Sequence, residues 1–143
     1  MLDSSTPRAH PVSSMLFKTK RTPAQLAQSE REAIVDLLHL CLYADGHISL
    51  QEGQFLAEVV NVIGWDTNLA FSSYESRSIA AARAAQGDER SKQEFITHAA
   101  ARLRSGTARQ LAVSLCRELV EADGTSRKEG VVITQIRSTL GVR

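Results

Sequence analysis

Aromatic side chains are scarce in this 143-residue chain, at 5% of residues, and strand-favouring residues are thin beside abundant Ala and Leu. The shortage argues against sheets and for helices packed through small side chains, an all-α fold. Cysteine is nearly absent too. The two present, Cys41 and Cys116, lie within apolar runs of helical character. They read as buried thiols in a reducing compartment, with a disulfide as the alternative.

Long hydrophobic runs are missing. Near the start the longest is Met15-Leu16-Phe17, too short for a signal-peptide core, and no run approaches the length of a membrane span. A soluble, cytoplasmic protein is expected, with no membrane insertion. The net charge is only +1, and before Thr22 lie Arg8, Lys18, Lys20 and Arg21 against Asp3, leaving the remainder slightly acidic. Without a broad basic face, nucleic acid is not an expected partner. Glycine-rich phosphate loops, a nucleophile elbow and a Cys/His metal-finger spacing are all absent, so the chain reads as non-enzymatic.

Residues 1–21 carry Ser4, Ser5, Pro7, Pro11, Ser13 and Ser14 without periodicity and read as a mobile tail. Residues 22–143 suit one domain, in which roughly 68–70% of the unfolded surface can be buried without covalent staples.

That domain is organised around ADGHISLQEG at residues 44–53, which returns in shortened form as ADGTSRKEG at 122–130. Each copy closes one apolar run and opens another. Glu52 precedes Gly64 by twelve residues, and Glu129 precedes Gly141 by the same interval. The expected fold is therefore a single all-α bundle of about six helices built from two duplicated helix-turn-helix units.

Helix starts are marked by Ser or Thr followed three residues later by Glu or Gln, the capping-box pattern. Thr22–Gln25, with Pro23 in the first helical position, begins a helix whose stripe is Leu26, Ala33, Ile34, Leu37, Leu38 and Cys41; Ser29–Glu32 offers a restart of it after a break. Ser49–Glu52 opens the second helix, with Phe55, Leu56, Val59, Val60 and Ile63 inward, Gly64 as its stop and Trp65 capping the core. Ser72–Glu75 begins an Ala-rich third, anchored by Leu69, Phe71 and Ile79 and stopped by Gly87. Asp88 or Ser91 starts a fourth, bearing Phe95, Ile96, Ala99, Ala100 and Leu103. Thr107–Gln110 starts a fifth with Leu111, Ala112, Leu115, Cys116 and Leu119 on one face; Ser126–Glu129 starts the last, with Val132, Ile133, Ile136 and Leu140 inward.

The Asp-Gly turns are where chemistry is expected. Residues 45–52 fit the second half of a calcium loop, with Asp at position 5, Gly at 6, an apolar residue at 8 and Glu at 12. Positions 1 and 3 would be Cys41 and Tyr43, and the second copy is one residue too short, so the loop is not an EF-hand.

The pattern that remains is Ala44-Asp45-Gly46 with Ser49 and Glu52, then Ala122-Asp123-Gly124 with Ser126 and Glu129. It resembles the TerB-like family, tellurite-resistance-associated helical domains of the type also found at the N-terminus of the membrane-attached co-chaperone DjlA, across about residues 22–142. The resemblance implies two halves packed so that these acidic residues approach one another, a divalent-metal site among Asp45, Glu52, Asp123 and Glu129, and a stress-response role. The shorter second turn departs from the pattern at Asp123.

Elementary electrostatics adds to this. Each aspartate ends a helix, where the dipole opposes negative charge by about 0.3 to 1 kcal/mol. Paired carboxylates at about 4 Å repel by roughly 1 kcal/mol in water and about 4 at an effective dielectric of 20, which a cation would relieve. All-oxygen ligands would select Mg²⁺, Ca²⁺ or Mn²⁺. The competing reading is a metal-free protein-interaction module in which the glutamates only cap, at about 1 kcal/mol each, and the aspartates only turn. In either case an unidentified protein partner is expected, and the oligomeric state is left open.

Other polar residues carry less. His39 and Asp36 lie three apart and His47 sits in the first turn, so either histidine is a spare nitrogen ligand or a packed side chain. Arg102, Arg104 and Arg109 flank the Ser105-Gly106 turn and read as a solvated helix end or a contact for an acidic partner.

Overall fold

The computed structural model describes residues 26–44, 50–66, 68–121 and 127–142. Among them are six helices and no strand: α1 (Gln28–Leu42), α2 (Leu50–Val62), α3 (Phe71–Ala85), α4 (Glu89–Arg102), α5 (Gly106–Glu121) and α6 (Arg127–Leu140). The tail at 1–21, and with it the Thr22–Gln25 start, lies outside the described residues.

The bundle is built around α1. Eleven of its fifteen residues are buried, and Ala33 through Leu42 form an unbroken buried stretch. At about 100° of rotation per residue such a stretch covers the whole circumference, so α1 is enclosed on all sides rather than along one stripe. The expected stripe of Leu26, Ala33, Ile34, Leu37, Leu38 and Cys41 is buried, but so are Val35, Leu40 and Leu42 on the other faces. α1 packs against each of the five other helices, with α5 and α6 also packed together. Among the described residues no helix is long and apolar enough to cross a membrane.

Several helix starts differ from the capping pattern, because tertiary position outweighs the local signal. α1 starts at Gln28 rather than after Ser29, and its capping glutamate is Glu30, whose Oε1 accepts the Ala27 N–H at 3.1 Å. Oε2 of Glu30 also accepts the Arg104 N–H, 3.1 Å away at the end of α4, so this side chain is chosen by two partners at once. α3 begins at Phe71 behind Ala70, with no side-chain cap, and Ser72–Glu75 is not its box. Leu69 is exposed rather than an anchor; α3 instead buries Ser78, Ala82 and Ala85. For α4 the choice falls on Asp88, whose Oδ1 accepts the Ser91 N–H at 2.7 Å and whose Oδ2 accepts the Ser91 hydroxyl at 3.1 Å. Those bonds hold the Asp88 carboxyl below its ordinary pKa. α5 begins at Gly106, and Ser105 rather than Thr107 caps it by accepting the Ala108 N–H at 3.0 Å. Ser49 and Ser126 lie outside the described residues.

Two glycines do what the sequence asks of them. Gly64 and Gly141, the residues twelve positions after Glu52 and Glu129, both adopt left-handed φ, 74° and 70°, which a Cβ would oppose. Trp65 follows the first, its ring edge-on to Phe71 at 5.0 Å and its indole N–H donating to Leu69 O at 3.3 Å.

Arginines tie off the helix ends. Nε of Arg31 donates to Ile63 O at 2.9 Å, satisfying a carbonyl at the end of α2. Arg109 donates to Leu103 O (2.8 Å), Ala100 O (2.9 Å) and Leu140 O (3.1 Å), so one guanidinium serves the ends of both α4 and α6. Helix C-termini leave carbonyls without intrahelical partners, and a cation there is favoured by the dipole as well. Arg109→Met is expected to lower stability by about 2–4 kcal/mol in urea unfolding, with Arg109→Lys recovering only part because an ammonium cannot fork across three carbonyls.

Candidate functional site

Of the four acidic residues singled out by the sequence, Glu52 and Glu129 lie among the described residues; Asp45 and Asp123 do not. Glu52 stands in the first turn of α2 and Glu129 in the first turn of α6. Both are buried, at 4% and 2% exposure. A charged residue in a helix's first turn ordinarily faces water. Here the arrangement is inverted at both starts: Leu50 is 76% exposed beside buried Glu52, and Val131 is 53% exposed beside buried Glu129.

The charges of the two glutamates act on one common group. The Cys41 thiol on α1 is hydrogen-bonded to Cys116 on α5, and its pKa is pushed well up by that bond, then by burial and the Cys116 charge, and then by the negative charges of Glu129 and Glu52. Each glutamate is therefore close enough to act on the same sulfur. Both cysteines are free and buried. Among the described residues no three Asp, Glu, His or Cys side chains are arranged to hold a metal ion. A cation there would need ligands beyond Glu52 and Glu129, from outside the described residues.

A second polar cluster centres on Asp36, which α1 carries into the core. Its Oδ1 accepts the Ser78 hydroxyl at 2.6 Å and the Tyr74 hydroxyl at 2.8 Å, both from α3, and its Oδ2 accepts Arg102 Nη2 from α4 at 2.6 Å. His39, one turn along α1 and fully buried, places Nδ1 2.8 Å from the Ser78 oxygen. Since the Ser78 proton points to Asp36, Nδ1 carries the ring proton and donates; this assigns the tautomer from the network. Nε2 is buried without a partner.

Burial lowers the His39 pKa from 6.5 to about 4, against a smaller upward pull from Asp36. Burial also pushes the Tyr74 hydroxyl up, helped by the Asp36 charge and by the bond to it. For Arg102, burial opposes the charge, but the hydrogen bond and charge of Asp36 outweigh it and the pKa is raised. Beside this cluster, α3 and α4 flank a cleft of about 520 Å³ lined by Asp36, Ala81, Ala84, Ala85, Ser91, Glu94, Phe95, His98 and Arg102.

Chemically, the order of groups is not that of an activated serine. A nucleophile would need His39 to accept the Ser78 proton, whereas that proton goes to Asp36 and the hydroxyl is buried. The cluster fastens helices together. It also supplies the acidic partner of Arg102, which lies within the chain. Ser78 and Tyr74 carry no sequence signal of this role, but two polar residues, Asp36 and His39, inside the otherwise apolar run Ala33–Leu42 do signal a buried polar contact.

Comparison with protein-family profiles, with curated proteins and with solved structures returns no match.

Arg102→Met is expected to cost about 3 kcal/mol by leaving the Asp36 carboxylate short of its cation, and the double variant Asp36→Asn/Arg102→Met to recover most of that loss. Urea unfolding of the two single variants and the double variant measures the coupling directly.

Proposed function

We propose that this chain is a non-enzymatic, TerB-like helical domain of the cytoplasm, serving a stress response of the tellurite-resistance type and holding one divalent cation between its two halves. The observation that supports it is the burial of two first-turn carboxylates, Glu52 and Glu129, from two different helices beside one thiol. Two buried carboxylates whose charges act on one thiol make the local potential negative, which a cation would offset. Glu52 and Glu129 would furnish two ligands, and Asp45 and Asp123 of the neighbouring turns the others. Such an oxygen set suits Mg²⁺, Ca²⁺ or Mn²⁺, and a bound ion would supply positive charge that fixes the two halves against each other. The free thiols at Cys41 and Cys116 agree with a reducing compartment.

A second reading, a metal-free protein-interaction module of co-chaperone type, draws on the exposure of Leu50 and Val131 at the starts of those same helices. The two readings part in a thermal melt. At a hundred times its dissociation constant a cation adds about 2.7 kcal/mol, a rise of several degrees. The expected result is such a rise with millimolar Mg²⁺, Ca²⁺ or Mn²⁺ over chelator, abolished in Glu52→Gln/Glu129→Gln and in Asp45→Asn/Asp123→Asn. A wild-type melting temperature that ignores all three ions contradicts the cation and leaves the interaction module.

A further inference from the structure

α3 is attached to the bundle in an unusual way. It buries only Ser78, Ala82 and Ala85, while Phe71 and Tyr74 are half-buried. Alanine contributes little apolar area, so this helix lacks the large side chains that anchor α5. Its first turn has neither a side-chain cap nor an acidic residue. What it does have is the polar cluster on α1: Ser78 and Tyr74 both donate to Asp36, and Ser78 also accepts from His39. At its other end Gln86 Nε2 donates to Leu40 O at 2.9 Å and Arg83 lies over the Tyr43 ring at 5.6 Å. The seal over His39 is thus made of small side chains and hydrogen bonds.

That seal works only for a neutral imidazole. A second ring proton would sit on Nε2, which is buried and faces no acceptor among the described residues. The charge that acts on the ring is that of Asp36 on its own helix, which is itself bonded to Tyr74 on α3 and Arg102 on α4. Asp36 already accepts three hydrogen bonds, so it has little capacity left for an imidazolium. With α3 swung away, water reaches the ring and the proton is accommodated.

We propose that α3 is an acid-released element, latched to α1 through Asp36, Ser78 and the neutral His39, and that protonation of His39 frees it while the α1–α5–α6 body stays folded. The latch is independent of any cation at Glu52 and Glu129.

The direction and size follow from linkage. Docked, His39 titrates near 4; with α3 released, it returns to 6.5. The released form therefore binds the proton first, so docking is at full strength above pH 6.5, weakens as pH falls through 6.5, and levels off below about 4. Between pH 7.5 and 5 the docking constant falls roughly 30-fold.

Native-state hydrogen exchange of the full chain at those two pH values, corrected for the intrinsic pH dependence of exchange, reads this helix by helix. The expected result is roughly 30-fold more frequent opening in α3 at pH 5, little change in α5, and loss of the effect in His39→Asn, which keeps an N–H for Ser78 but cannot titrate. Equal acceleration in α5, no acceleration in α3, or an undiminished effect in His39→Asn would overturn the latch. If His39→Asn does not fold, the contrast between α3 and α5 in the wild type decides by itself.

Discussion

Everything in this fold follows from enclosing one helix on every side. α1 has no solvent face from Ala33 to Leu42, and the hydrophobic effect rewards this only if other helices cover it all round. Five do so. The same enclosure makes demands, since any polar group on α1 must be satisfied inside the protein. Asp36 recruits Ser78, Tyr74 and Arg102; His39 is kept neutral; and Glu30 serves two backbone amides at once. The polar interior is a consequence of where α1 sits.

The neighbouring helices answer those demands unequally. α5 packs against α1 and buries Leu111, Leu115, Cys116 and Leu119, a conventional apolar stripe. α3 meets it with small residues and hydrogen bonds, which depend on protonation state in a way that an apolar seam does not. The two seams therefore differ in kind, and the hydrogen-bonded one lies beside the cleft between α3 and α4. The starts of α2 and α6 invert the usual rule, with Glu52 and Glu129 inward and Leu50 and Val131 outward.

Much of the fold was legible from periodicity. Six helices, their order, the inward residues of α2, α5 and α6, and the stop glycines Gly64 and Gly141 all emerge from apolar spacing and glycine position. Boundaries were less legible: Glu30 rather than Glu32 also answers a distant segment through Arg104, and Ser105 rather than Thr107 caps α5 although it has no Glu or Gln three residues on. α1 reads as amphipathic if one looks for a stripe, and only the excess of Val35, Leu40 and Leu42 outside the stripe betrays full enclosure. Of the candidate site, Glu52 and Glu129 were legible as a repeated pair, while Asp45 and Asp123 lie outside the described residues. Tyr74 and Ser78 were not legible, since nothing local distinguishes a hydroxyl that will meet Asp36 some forty residues away.

The enclosure of α1 is most directly tested by an alanine scan of Ile34, Val35, Leu37, Leu38, Leu40 and Leu42 with urea unfolding as the readout. Full enclosure predicts that every Leu and Ile position costs about 2–5 kcal/mol, with Val35 costing somewhat less, whatever its angle around the helix. A pattern that rises and falls every 3.6 residues, with Val35 and Leu40 near neutral, would contradict it and restore an ordinary surface helix to the centre of the account.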